Sequence, residues 1–113
     1  MRLRGGVGIV ALSGNWIGGQ MPRYLIERFF TVPQEQMNAV GRRSRVLAEE
    51  RYPAITWEHS HVAIGEDGRV MTFCVYDAPS EDVVRAHADD LGDHEVLRIS
   101  EIVGDITPDD FPS

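Results

Sequence analysis

The apolar and polar positions fall into two repeating periods. Tyr24–Phe30 is a short run of aliphatic and aromatic residues ending at Thr31-Val-Pro, which predicts a strand. Thr31 and Gln34 stand at capping-box spacing with Pro33 near the first turn, so a helix is expected to start there. Met37, Val40, Ser44, Leu47 and Ala48 recur at helical spacing and carry it to about Arg51, before Pro53. Ile55–Ile64 and Arg69–Tyr76 read as two strands joined at Gly65-Glu-Asp-Gly68, whose residues tolerate positive φ. Ser80 is a good N-cap for a second helix, with Glu81 and Asp82 complementing its dipole. Val83, Val84, His87, Ala88 and Leu91 mark the inner side of that helix, and Gly92 suits its C-terminal cap. Val96–Val103 is the last strand.

The order is β-α-β-β-α-β, with a weak internal echo of strand, Pro-bearing turn and helix. It predicts an α+β, ferredoxin-like sandwich: a four-stranded antiparallel sheet with both helices on one face. The expected domain runs over 21–104. Residues 1–20 differ in character: Arg2 and Arg4, a short apolar stretch Val7–Leu12, then Gly14, Gly18 and Gly19. They read as a flexible extension with Met21 as the expected functional start, since the apolar stretch is short and broken for a signal peptide. Residues 105–113, with Pro108 and Pro112, read as a frayed tail.

Alternation assigns chemistry to faces. With Ile64 opposite Arg69 across the turn, His59 faces Cys74, His61 faces Thr72, and Trp57 faces Tyr76. That register puts all six on the face away from the helices, and Val62, Ile64, Met71, Phe73 and Val75 in the core. Ile26 suits the core, so Glu27 joins the open face. Opposed Cβ atoms lie ~4.5–5.5 Å apart, within reach of one ion by an imidazole and a thiolate. That donor pair suits a transition metal better than magnesium or calcium. Each residue also has a plain structural reading. A free cysteine is often packing, His59 and His61 would sit equally well at a dimer seam, His87 reads as a satisfied core histidine, and His94 as an exposed turn residue.

Composition narrows the classes. The chain has 113 residues, 42% hydrophobic, with a formal charge of −7. An acidic chain is a poor match for nucleic acid, whose phosphates need a basic face, and Arg42, Arg43 and Arg45 read as a solvated helix face. Cys74 is the single cysteine and forms no internal disulfide, which suits the cytoplasm. No apolar run approaches the ~20 residues of a bilayer span, so no membrane partner is expected. There is no glycine-rich phosphate loop in a strand–helix context, no CxxC and no HExxH.

The strings PRYLIERFF (Pro22–Phe30), TWEHSHV (Thr56–Val62), TFCVYDAPSED (Thr72–Asp82) and RAHA (Arg85–Ala88) resemble a family of small bacterial proteins, long a domain of unknown function, with a nickel-binding member. The resemblance covers about Met21–Val103 and implies a ferredoxin-like fold, a homodimer and bound nickel. The positions it matches are Glu27, His59, Cys74 and His87. His61 departs from the family's usual aromatic, and Gly92-Asp-His94 from its usual turn. The expected metal ligands are therefore His59, Cys74, Glu27, His61 and His87. They hold Ni²⁺ or another transition metal in a protein of metal sequestration or sensing. The alternatives are a small dimeric α/β-barrel enzyme with a pocket on the open face, or a pure dimerisation module.

Overall fold

The computed structural model describes residues 21–112; the extension assigned to residues 1–20 lies outside them. Strand β1 (Arg23–Phe30) is followed by a 3-10 turn at Gln34–Gln36 and helix α1 (Met37–Arg51). A hairpin of β2 (Thr56–Ile64) and β3 (Val70–Asp77) leads to α2 (Glu81–Leu91), β4 (His94–Ile102) and a 3-10 turn at Pro108–Asp110. The sheet runs β2-β3-β1-β4 with every neighbour antiparallel. This is the expected α+β sandwich with ferredoxin-like strand order, an open sheet and not a closed barrel.

The strict alternation of β1 builds the helix-side core. Tyr24, Ile26, Arg28 and Phe30 are buried, and β3 answers with Val70, Thr72, Cys74 and Tyr76. Ile26, Cys74 and Tyr76 pack with Val84 and Ala88 of α2, while Phe30 and Val70 pack with Val40 and Leu91. Complete burial of Ile26 or Val84 is worth about 1.5–3 kcal/mol each, which fixes which strand face meets the helices.

The second helix starts as expected: the Ser80 hydroxyl accepts from Val83 N at 3.4 Å, and Gly92 follows Leu91 at φ 69°. The first does not. The Thr31 amide and hydroxyl both donate to Asp93 O at 2.9 Å, so the Thr31–Gln34 capping box gives way to a tie between β1 and the α2–β4 turn. Arg43 reinforces that turn, bonding Leu91 O at 3.2 Å and Asp93 at 2.9 Å. His94 is half-buried at the start of β4, not exposed, with its ring 5.1 Å from that of Phe30.

The hairpin register differs from the expected one. Ile64 pairs with Val70, not Arg69. Gly65 N donates to Arg69 O and Gly68 N to Gly65 O, each at 2.9 Å, and Asp67 accepts from the Arg69 amide at 3.0 Å. This closes a loop of five residues, 65–69, with Gly68 at φ 84°. One extra loop residue slips the pairing by one and exchanges the two faces of β2 relative to β3. A bulge at Glu58 then restores the expected pair, Trp57 with Tyr76.

After β4, Arg23 binds Asp105 at 2.6 Å and Glu58 at 2.8 Å. Thr107 and Asp110 form a capping box around the last 3-10 turn. Among the described residues no helix is long and apolar enough to cross a membrane.

Candidate metal site and a buried cation

The slipped register divides the expected ligands between the two faces. Ser60, not His59, pairs with Cys74, and Val62, not His61, pairs with Thr72. His59 lies opposite Val75 and His61 opposite Phe73. Both histidines are exposed on the open face. Their rings meet edge to face, with centroids 5.4 Å apart. Glu27 shares that face, since it pairs with Phe73 from the other side. Two strand spacings of ~4.8 Å separate its backbone from that of His61. The Glu27 carboxylate is held by Arg98 at 3.0 Å, with the arginine side chain 68% exposed.

Cys74 and His87 stand on the other side of the sheet. Cys74 is buried opposite Ile26 in the core. His87 on α2 is 1% exposed, and its Nε2–H donates to Ser44 O at 3.1 Å. The rings of Tyr52 and Tyr76 meet it edge-on at 5.8 and 5.7 Å. Burial lowers the His87 pKa, favouring the neutral ring. The sheet separates this pair from His59 and His61, so one ion cannot take all five side chains. Among the described residues no group of three or more His, Cys, Asp or Glu side chains converges within the single chain.

The rest of the open face is largely apolar. Leu25 and Phe29 of β1 and Met71, Phe73 and Val75 of β3 share it, by their alternation with the buried helix-side residues. The Arg69 guanidinium covers the Phe29 ring at 4.1 Å. A histidine pair on the edge strand thus borders a half-buried apolar sheet face that no helix among the described residues covers.

On the helix side the sequence pattern conceals a charge. Arg28 occupies the core position between Ile26 and Phe30 and is 2% exposed. Its Nη2 donates to the Tyr76 hydroxyl at 2.8 Å. The Phe30 and Tyr76 rings lie 5.9 and 5.8 Å from the guanidinium. The signal that could have found it was present: a charged residue at an i, i+2 core position of an otherwise apolar strand.

Fold and face together define an α+β sandwich whose open sheet face carries the exposed imidazoles. The chain belongs to the nickel-responsive protein family described as SCO4226-like, whose model matches residues 24–102, more than half of the sequence. This agrees with the resemblance in its coarse terms, a small nickel-associated family. Comparison with curated proteins and with solved structures gives no match.

Proposed function

We propose that the protein binds nickel on the open face of its sheet, as a sequestering or sensing protein of the cytoplasm, and that it works as a homodimer. The observation that carries this reading is the pair His59 and His61. With imidazole–metal bonds of ~2.0–2.1 Å, each ring centre sits roughly 3.2 Å from the ion. Two rings on one ion then lie about 4.5 Å apart at a right angle and about 5.2 Å at a tetrahedral one. The observed 5.4 Å is close to the second value. Imidazole is a fitting ligand for nickel, and membership of a nickel-responsive family supports that metal.

Two imidazoles are an incomplete set. Glu27 is the third donor of this chain on the same face, once its pairing with Arg98 opens. The arginine end of the pair is exposed to solvent, so it can swing away and leave the carboxylate to an ion. A second copy docked on Leu25, Phe29 and Phe73 would cover the apolar face and bring a second set of donors near the first. Cys74 and His87 take structural roles in this reading.

The test is titration of the full chain with NiCl₂ by calorimetry, with the mass in solution measured alongside. His59→Ala with His61→Ala is expected to lose at least tenfold in affinity, whereas Cys74→Ser keeps it. The opposite pattern would overturn the assignment of the site to the open face. A pure dimerisation module predicts instead that the double histidine variant changes the mass and leaves weak nickel binding as it was.

A further inference from the structure

Arg28 is a cation withdrawn from water with no anion beside it among the described residues. Nε and Nη1 of its guanidinium meet no acceptor. The groups that act on it most strongly are the Tyr76 hydroxyl and the Cys74 thiol, not a carboxylate. Removing a charge from water is costly even after relaxation, and a protein normally offsets this with a paired counter-ion. Directly opposite Arg28 on β3 stands Thr72. It is 4% exposed, and its hydroxyl also lacks a hydrogen-bond partner. Two unsatisfied polar groups therefore sit side by side under the helices, their Cβ atoms ~4.5–5.5 Å apart.

Both line a cavity of about 200 Å³ between α1 and the β2–β3 side of the sheet. Its remaining wall is largely apolar, with Phe30, Met37, Val62 and Trp57 among the lining residues. Val62 and Trp57 are 58% and 39% exposed at the β2 edge, where the cavity opens. Gly41 of α1 also borders it, and a Cβ placed there would meet nothing within 4 Å. A glycine inside a helix is destabilising relative to alanine. Here it leaves the cavity wall open.

We infer that this cavity is a binding site for a small organic carboxylate, its anionic end on Arg28 and Thr72 and its apolar body along α1 and Trp57. The volume is below the ~300–1,000 Å³ of drug-sized sites, which limits the ligand to on the order of ten non-hydrogen atoms. A single guanidinium matches a single carboxylate, and the apolar wall favours an aliphatic or aromatic body over a bare inorganic anion. The site lies across the sheet from His59 and His61 and is independent of the nickel reading.

The experiment is calorimetric titration of the full chain with benzoate, hexanoate, benzyl alcohol and inorganic phosphate. Benzoate or hexanoate is expected to bind one to one, and benzyl alcohol at least tenfold more weakly. Arg28→Met is expected to weaken the carboxylate at least tenfold. Gly41→Leu, which fills the cavity from a helical position that favours leucine, is expected to do the same with an unchanged or higher Tm. Carboxylate binding that survives Gly41→Leu would overturn the location. Benzyl alcohol binding as well as benzoate would overturn the role of Arg28. Phosphate binding as well as the carboxylates would overturn the ligand class, and no binding by either carboxylate would overturn the site.

Discussion

Arg28→Met removes the buried charge and keeps an unbranched, though shorter, apolar side chain. The interactions lost are visible. One hydrogen bond from a charged donor to Tyr76 at 2.8 Å is worth about 1.5–3 kcal/mol. Two cation–π contacts, at 5.8 and 5.9 Å, lie near the outer limit and contribute about 0.5 kcal/mol each. Against roughly 2.5–4 kcal/mol stands the desolvation of a cation with two nitrogens unpartnered, several kcal/mol and the larger quantity. The expected result is a gain of about 1–2 kcal/mol in unfolding free energy, within the range seen when buried charges are replaced by apolar residues. For a domain of this size that raises Tm by on the order of 5–10 °C. Urea denaturation at neutral pH without added anion measures it, and the m-value should not change. A loss of 2 kcal/mol or more would show that Arg28 is a stabilising member of the core, and the desolvation argument would then be wrong.

Three further outcomes follow from the same geometry. His87 is held below its ordinary pKa by burial, so the unfolded chain binds the proton more readily than the folded one. Its contribution to stability is complete above about pH 6.5 and falls as the pH drops below that value towards the lowered folded pKa. Denaturation between pH 7.5 and 5 should show His87→Gln losing part of the wild-type slope, and an unchanged slope would count against this account of His87. Arg23→Met breaks a nearly buried side chain away from Glu58 and Asp105. With Asp105 half-exposed, a loss of about 1–3 kcal/mol is expected, less than for a fully buried pair. Hydrogen exchange should become faster over residues 104–111 in that variant. Ser80→Ala removes the cap of α2, whose bond to Val83 N is long at 3.4 Å; thermal unfolding should show a loss of about 0.5–1 kcal/mol.

Much of the architecture was legible because period and punctuation agree. The alternation of β1 and the helical spacing of α1 and α2 gave element type and order, and Ser80 and Gly92 marked the ends of α2. His87 could be read as a satisfied core histidine from its place on the inner side of α2. His59 and His61 stand on the open face as expected; the face of Cys74 relative to them was harder, since it turns on a single residue. Gly65-Glu-Asp-Gly68 suits a four-residue turn as well as the five-residue loop that forms, and nothing local to the turn decides between them. The bulge at Glu58 then restores the Trp57–Tyr76 pair, so a correct pairing at one end of the hairpin coexists with a slipped one in the middle. The Thr31 cap was lost to a contact 62 residues away, beyond any local signal. Arg28 was visible as a charge at a core position, but its lack of a partner depends on tertiary structure.

The central claim is that exposed imidazoles on the open face, and not the buried thiol, take the metal. The most direct measurement is nickel titration of the wild type beside His59→Ala/His61→Ala and Cys74→Ser, repeated at lower pH. The account predicts binding that weakens in acid, because protons compete for the imidazoles. It also predicts loss of that binding in the double histidine variant and its retention in Cys74→Ser. Nickel binding that survives loss of both histidines, or disappears with Cys74 while the fold persists, would contradict it.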